Sequence, residues 1–166
     1  MKKVMVIGCP GSGKSTFSRE LQRITALPLF HPDCLYWNAD RTTVSDAVFL
    51  QRLNEVLGLE RWIIDGNYSK TLELRLRRCD TVFFLDYPTE VCLSGIASRI
   101  GKLRPDLPWT ETQADPELIE VVRNYPVRER QAVLALLEQD TDEKTVFTFQ
   151  TREDAKRFLQ SLGNIT

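Results

Sequence analysis

The stretch Gly8-Cys9-Pro10-Gly11-Ser12-Gly13-Lys14-Ser15 decides how this chain folds. It has the pattern G-x-x-x-x-G-K-S, which is typical of a loop that holds phosphate groups. Apolar residues at 4–7 predict a short buried strand before the loop, and apolar residues at helical spacing predict a helix over 15–25. The loop therefore stands between a strand and a helix, which is the context in which the pattern indicates phosphate binding.

The chemistry of this loop suits the triphosphate of ATP. Its glycines let backbone N–H groups turn inward without a clash from Cβ atoms. Those N–H groups and the positive end of the following helix form a cradle for anions. We expect Lys14 to reach the β- and γ-phosphates and the Ser15 hydroxyl to bind Mg²⁺. The predicted nucleotide-binding residues of the motif are Gly8, Pro10, Gly11, Ser12, Gly13, Lys14, Ser15 and Thr16.

Length and composition limit the classes of function. The chain has 166 residues, which suits one domain over 1–166 with a full hydrophobic core. Its net charge of −1 disfavours a broad basic surface for nucleic acid or an anionic membrane. There is neither a run of about 18 apolar residues nor the apolar core of a signal peptide. We expect a cytoplasmic monomer or homodimer with a small-molecule or nucleotide acceptor and no direct nucleic-acid or membrane partner.

The cysteines do not have the spacing of a metal site. Cys9, Cys34, Cys79 and Cys92 form no C-x-x-C pair, and His31 is the single histidine of the sequence. This spacing disfavours zinc, so no metal apart from Mg²⁺ is expected. We expect free thiols in a reducing compartment.

Strand and helix patterns alternate along the rest of the chain. The predicted strands after the first are 27–30, 61–66, 81–86 and 144–149. After the first helix, the predicted helices are 40–60, 89–101, 116–139 with a break near Pro126, and a last helix after the fifth strand. A short turn or helix is predicted over 69–78. This alternation predicts an α/β fold, a three-layer P-loop NTPase fold with a five-stranded parallel sheet covered by helices on both faces.

One stretch breaks the alternation. Residues 101–116 contain Gly101, Pro105, Pro108 and Pro116 among charged residues. This composition predicts a mobile, exposed insertion, too short and too polar to be a separate domain. We expect it to act as a short lid over the phosphate loop.

Acidic residues follow three of the predicted strands. Asp33, Asp65 and Asp86 stand at or just after the carboxyl ends of their strands. In parallel α/β sheets, ligands bind along that edge, so these carboxylates should lie beside the phosphate loop. Their convergence indicates chemistry on a bound nucleotide as well as binding.

The sequence resembles the adenylate-kinase-like P-loop kinases, and more narrowly the bacterial proteins called topology modulation proteins. The resemblance rests on Gly8–Thr16, His31–Trp37, Trp62–Tyr68 with Thr71–Asp80, and Phe84–Pro88, with weaker support from Asn124–Arg130. It implies that Asp65 helps to position Mg²⁺ and that Asp86 is structural. It also implies that Arg99 lies at the base of the lid near the nucleotide. Arg123, Arg128 and Arg130 are candidates to contact the transferred phosphoryl group.

The sequence departs from nucleoside monophosphate kinases in the acceptor site. Those enzymes hold the acceptor phosphate with an arginine soon after the second strand and another after the third strand. Here no arginine precedes Arg41 after the second strand, and Asn67-Tyr68-Ser69 follows the third. Arg75 is a possible substitute for one of them. The departure favours an acceptor that offers a hydroxyl group without a phosphate.

We therefore predict a Mg²⁺-dependent phosphotransferase that moves the γ-phosphoryl group of ATP to a small molecule. The predicted catalytic residues are Lys14, Asp33, Arg128 and Arg130, with Asp33 aligning the acceptor hydroxyl. The predicted substrate-binding residues are Asp33, Trp37, Asp65, Asn67 and Arg75, and Ser15 and Asp65 are the predicted metal residues. Two alternatives stay open: a nucleoside monophosphate kinase whose acceptor arginines have moved, and a nucleotide-binding regulator linked to DNA topology.

Overall fold

The computed structural model describes residues 1–107, 109–139 and 144–164. Its strands are β1 Lys3–Gly8, β2 Leu29–Phe30, β3 Trp62–Asp65, β4 Thr81–Leu85 and β5 Thr145–Phe149. Its helices are α1 Lys14–Thr25, α2 Pro32–Tyr36, α3 Asp46–Leu57, α4 Ser69–Leu76, α5 Thr89–Ala97, α6 Pro116–Asn124, α7 Glu129–Gln139 and α8 Arg152–Gly163, with a 3₁₀ turn over Tyr125–Val127. The strands form one parallel sheet in the order β2-β3-β1-β4-β5. The predicted α/β fold is thereby confirmed.

Both faces of the sheet are covered, which explains the apolar character of its central strands. Val4 and Val6 of β1 pack with α1, α5, α6 and α8 on one face. Met5 and Ile7 pack with α3, α4 and α7 on the other. A central parallel strand that is buried on both sides needs apolar residues at every position rather than at every second one. No helix among the described residues is long and apolar enough to cross a lipid bilayer.

The region after β2 differs from the prediction. No helix is predicted between the second strand and residue 40, but Pro32–Tyr36 form the short helix α2. Pro32 occupies the first helical position, where its fixed φ angle and missing N–H cost nothing. Helix α3 begins at Asp46 rather than near residue 40, because the Ser45 hydroxyl accepts a hydrogen bond from the N–H of Val48 and ends the preceding loop.

The segment between α5 and α6 has no helix or strand in its described parts, 98–107 and 109–115. Pro108, one of the residues that predict the insertion, lies outside the described residues. We call residues 101–115 the insertion. It is not uniformly exposed as predicted: the side chain of Leu103 is in solvent, but Asp106 is only 2% exposed. The carboxylate of Asp106 is an ion-pair partner of arginines, and these pairs hold that part of the insertion against the domain.

Candidate active site

The phosphate loop lies between β1 and α1, as the sequence predicts. Gly13 precedes α1 with a φ angle of 95°, which a residue with a side chain rarely adopts. The Lys14 ammonium donates hydrogen bonds to the carbonyls of Gly8 at 2.8 Å and Cys9 at 3.0 Å. The amide oxygen of Asn67 accepts the N–H of Gly8 at 3.0 Å. Asn67, predicted to bind substrate, therefore also ties the β3–α4 loop to the phosphate loop.

The outer side of the phosphate loop packs against α5 without space for side chains. A Cβ atom on Gly11 would lie 2.1 Å from the Cys92 carbonyl oxygen, and one on Gly95 would lie 1.9 Å from the Gly11 carbonyl oxygen. Arg152, at the start of α8, donates hydrogen bonds to the carbonyls of Gly11 at 3.4 Å and Val91 at 3.1 Å. Helices α5 and α8 thus fix the loop from behind. Sequence reasoning missed Gly95 and Arg152, because no local pattern distinguishes them from ordinary helix residues.

Asp65 ends β3 beside the loop. One of its carboxylate oxygens contacts Nδ1 of His31 at 2.9 Å. The other is buried and has no hydrogen-bond partner. A buried carboxylate oxygen without a partner is an unusual and costly feature, which a cation or its water shell would relieve. Asp65 and Ser15 therefore fit a Mg²⁺ ion held by few protein groups together with phosphate oxygens.

Asp33 lies in the first turn of α2. Its carboxylate accepts a 2.6 Å hydrogen bond from the hydroxyl of Tyr68. Burial raises the pKa of Asp33 above its ordinary value, the charges of Asp65 and Asp106 add to this effect, and Tyr68 and Lys14 oppose it. A carboxylate of raised basicity with one oriented oxygen can accept a proton from a hydroxyl group. Sequence reasoning found Asp33 but missed Tyr68, since the contact joins residues that are 35 positions apart.

Lys14 is electrostatically linked to both carboxylates. Burial lowers the pKa of the Lys14 ammonium, while the charges of Asp65 and Asp33 oppose that effect. The predicted phosphate-binding lysine and the two predicted acidic residues are thus brought together at one edge of the sheet. This juxtaposition follows from the strand order, because β1 pairs with β3 and β3 with β2.

Arg75 is in a different environment from the one predicted. Its side chain is fully buried, and its guanidinium donates hydrogen bonds to the backbone carbonyls of Gly66, Asn67 and Tyr68. Burial lowers the pKa of Arg75 to about 10. An acceptor would have to displace these carbonyls to reach the guanidinium. The arrangement assigns Arg75 to the support of the β3–α4 loop, and substrate contact by this residue stays a prediction without a geometric basis.

The two predicted arginines of the 125–130 region differ in their partners. Arg130 forms a bidentate ion pair with Asp86, with N–O distances of 2.7 and 2.8 Å. Arg128 is exposed and lines a cavity of about 310 Å³. The cavity lies between the start of α4 and the start of α7, and its lining includes Asn67, Ser69 and Glu129. Arg128 is therefore the freer of the two for contact with a ligand.

Arg99, predicted at the base of the lid, pairs with a residue of the insertion. Its guanidinium lies 2.8 Å from the carboxylate of Glu111, which also accepts from Arg104 at 2.8 Å. Arg104 pairs in turn with Asp106, which Arg19 of α1 approaches at 3.4 Å. This network links the insertion to the helix that follows the phosphate loop. The nucleotide contact predicted for Arg99 is not shown, and the ion pairs of Asp106 were not predicted.

Comparison with known proteins shows the fold. No protein-family model and no curated protein sequence matches the chain. A shikimate kinase from Acinetobacter baumannii, solved in complex with shikimate, has a TM-score of 0.61 at 16% identity, over all of this chain and 95% of that one. A shikimate kinase from Bacteroides thetaiotaomicron has a TM-score of 0.60 at 18% identity, over 98% of this chain and 96% of that one. An unliganded sugar kinase from Janibacter sp. has a TM-score of 0.54 at 18% identity, over 97% of this chain and 91% of that one. The chain thus has the fold of these P-loop kinases.

Proposed function

We propose that this protein is an ATP-dependent phosphotransferase that transfers the γ-phosphoryl group to a hydroxyl group of a small molecule. One observation carries the proposal: a phosphate-binding loop with Lys14 and a partly buried carboxylate at Asp33 lie at the same edge of the sheet and are electrostatically coupled. Phosphoryl transfer requires that phosphates and acceptor be positioned side by side more than it requires covalent chemistry. The likeness to kinases of small molecules supports the same reaction class.

The phosphate loop and two metal residues hold the nucleotide. Backbone N–H groups of Gly11–Ser15 and the Lys14 ammonium bind the phosphates. Ser15 and Asp65 hold Mg²⁺, and the free oxygen of Asp65 is the observation that supports this assignment. When bound, Mg²⁺ neutralises charge on the β- and γ-phosphates. His31 holds the other oxygen of Asp65 and so fixes the orientation of the carboxylate.

Asp33 orients the acceptor hydroxyl and accepts its proton. Tyr68 holds one oxygen of the carboxylate, which leaves the other for the acceptor. The raised pKa of Asp33 makes the carboxylate a better proton acceptor than an exposed aspartate. Arg128 is placed to approach the transferred group from the cavity beside Asn67. Arg130 acts through Asp86 as a brace.

The insertion serves as the lid of this site. Its links to α1 through Asp106 and to Arg99, just after α5, through Glu111 place it beside the phosphate loop. Closure over the phosphates excludes water, which would otherwise compete with the acceptor. We also propose a kinship with the topology modulation proteins, which rests on the Trp62–Tyr68 run, and a cytoplasmic location.

A nucleoside monophosphate acceptor has less support. That acceptor needs cations at its phosphate, and the guanidinium of Arg75 is occupied by backbone carbonyls. A purely regulatory protein has no need of a partly buried carboxylate that Tyr68 orients at the sheet edge where the phosphate loop lies. An assay of phosphoryl transfer separates both alternatives from the proposed function, because it shows whether a product forms and which acceptor carries the phosphate.

The test is a screen for transfer from ATP labelled on its γ-phosphate. Purified protein and Mg²⁺ are incubated with a metabolite extract, and labelled products are separated and identified. We expect a phosphorylated product with the wild type and none with Lys14→Ala, because the variant leaves phosphate charge without its partner. A product formed equally by both proteins would refute the proposed function.

A further inference from the structure

Five aromatic side chains lie in edge contact around the end of α2. Tyr36 is the centre, with ring centroids 5.4 Å from Trp37, 5.4 Å from Phe49 and 5.8 Å from Tyr68. Trp37 in turn meets Trp109 of the insertion at 5.4 Å in a T-shaped arrangement. We call Tyr36, Trp37, Tyr68 and Trp109 the aromatic wall. Each of these four side chains is only partly buried, so the wall has surface to offer to a ligand.

The aromatic wall is joined to the carboxylate that receives the acceptor. Tyr68 donates its hydroxyl hydrogen to Asp33 at 2.6 Å, and its ring contacts that of Tyr36, which in turn contacts Trp37. The ring contacts of Tyr36 and the hydrogen bond from Tyr68 to Asp33 therefore set the rings relative to the carboxylate oxygen that is left for the acceptor. A molecule that places a hydroxyl group at Asp33 places its body against these rings.

The insertion brings Trp109 to this position. The carbonyl of Pro105 accepts the thiol of Cys34 in α2 at 3.7 Å, and the buried Asp106 is held by Arg104 and Arg19. Trp109 follows directly after this anchored part and contacts Trp37. The insertion thus covers the acceptor side of the site as well as the start of α1.

Charge around the wall disfavours an anion. The charges of Asp65 and Asp106 act on Asp33, with the Lys14 ammonium as the opposing charge. Arg75 and Arg104 are occupied by carbonyls and by acidic partners respectively. Arg41 lies over the ring of Trp109, with its guanidinium carbon 5.7 Å from the ring centroid. In the described part of the chain, Arg41 is thus the guanidinium seen in contact with the wall.

We propose that the acceptor is an uncharged, ring-shaped molecule with a hydroxyl group, and that Trp109 of the insertion determines its specificity by packing on the ring. This inference rests on the proposed phosphotransferase function and names its substrate class. Aromatic side chains bind the flat apolar face of a ring, whether a nucleoside base or a cyclic sugar. The carboxylates exclude close analogues that carry a phosphate or a carboxylate.

The experiment compares matched neutral and anionic compounds. The neutral set is adenosine, cytidine, thymidine, glucose and myo-inositol. The anionic set is the corresponding nucleoside 5′-monophosphates with glucuronate and shikimate. Binding is followed by tryptophan fluorescence in the presence of Mg²⁺ and a nonhydrolysable ATP analogue, and transfer is followed with ATP labelled on its γ-phosphate. We expect at least one neutral ring compound to bind and to be phosphorylated, and its charged partner to bind at least tenfold more weakly.

The variants separate specificity from a general loss of function. With the neutral acceptor, Trp109→Ala should raise the acceptor KM at least tenfold and leave the KM for ATP within twofold, and Trp109→Phe should restore most of the loss. Leu103→Ala is the matched control in the insertion, because Leu103 is 88% exposed. It should change neither value, and Arg41→Ala should change the acceptor KM less than Trp109→Ala does.

Three results would overturn the inference. One is binding of an anionic compound as tight as that of its neutral partner, with a loss of that binding in Arg41→Ala. Another is an acceptor KM that Trp109→Ala leaves unchanged. The third is a protein that binds ATP but shows neither a fluorescence response to any neutral ring compound nor transfer to one. Transfer to an anionic acceptor that depends on Lys14 would overturn the acceptor class alone and leave the proposed phosphotransferase standing.

Discussion

At the scale of single residues, the pair Asp33–Tyr68 gives the clearest chemical consequence. Burial raises the pKa of Asp33, and the hydrogen bond from Tyr68 counteracts part of that rise because it stabilises the charged carboxylate. Tyr68→Phe removes the bond and should raise the pKa of Asp33 further. Asp33 must be ionised to accept a proton, so the acid limb of the kcat/KM profile should move to higher pH.

The measurement is a pH profile of transfer to the acceptor found in the screen, with Tyr87→Phe as control. Tyr87→Phe also removes a phenolic hydroxyl. Tyr87, however, packs on one face of the sheet, whereas Trp62 and Ile64 pack on the other. Its profile should keep the position of the wild-type acid limb. An unmoved limb in Tyr68→Phe would mean that a group other than Asp33 controls the reaction at low pH.

Arg75 shows why the roles of some residues could not be predicted from the sequence. An arginine near a strand end is chemically suited to phosphate, and the sequence offers no reason to prefer another role. The structure shows that the carbonyls of Gly66, Asn67 and Tyr68 point toward it. Those carbonyls need donors because Gly66 and Tyr68 have positive φ angles and the loop leaves regular structure. Backbone direction of this kind is set by tertiary structure.

At the scale of elements, the contact between the phosphate loop and α5 is the tightest in the site. A side chain at position 95 would meet the Gly11 carbonyl at 1.9 Å, so Gly95→Ala forces the loop and the helix apart. We expect a loss of about 1–3 kcal/mol in the free energy of unfolding, the usual cost of overpacking. ATP affinity should fall as well, because the displaced loop no longer directs its N–H groups at the phosphates.

Denaturant unfolding and calorimetry with an ATP analogue measure both effects. Gly163→Ala is the control, because the nearest atoms to a Cβ there are 3.8 Å away. That variant should be neutral or slightly more stable, since alanine restricts the unfolded chain. ATP affinity equal to wild type in a destabilised Gly95→Ala protein would show that α5 does not hold the loop in its binding shape.

Elements were predicted well where periodicity was strong and poorly where it was absent. The apolar runs predicted β1, β3, β4 and β5 as strands, and all four lie in the sheet. Helix α2 was missed because five residues are too few for a helical period to be seen. That omission matters for function, since α2 carries Asp33 and Trp37.

At the scale of the whole molecule, the insertion is the part whose behaviour should depend on ligand. Its ion pairs connect it to α1 and to Arg99 in the turn after α5, next to the phosphate loop. We predict that a nonhydrolysable ATP analogue with Mg²⁺ slows amide hydrogen exchange across 101–115, because closure over the phosphates protects the backbone. Strand β4 serves as the internal reference, and its exchange should not change. Equal exchange of 101–115 in both states would make the insertion an ordinary surface loop.

The overall architecture was predictable, whereas the acceptor site was not. The phosphate-loop motif and the alternation of strands and helices together predict one fold, and the carboxyl-edge rule placed Asp33 and Asp65 beside the loop. The contacts that distinguish this site join distant segments: His31 with Asp65, Tyr68 with Asp33, and Trp109 with Trp37. Pairings of this kind depend on the packing of loops, for which a single sequence has no periodic signal.

The central claim is that two parts of the sheet edge have separate functions: the phosphate loop holds ATP, and Asp33 acts on the acceptor. Asp33→Asn tests it most directly, because asparagine keeps the shape and can still accept the Tyr68 hydrogen bond. Two quantities are measured: affinity for a nonhydrolysable ATP analogue by calorimetry, and the rate of transfer to the identified acceptor. We predict affinity within about twofold of wild type and a rate lower by about a hundredfold or more, the usual contribution of a general base. Full transfer by Asp33→Asn would contradict the claim.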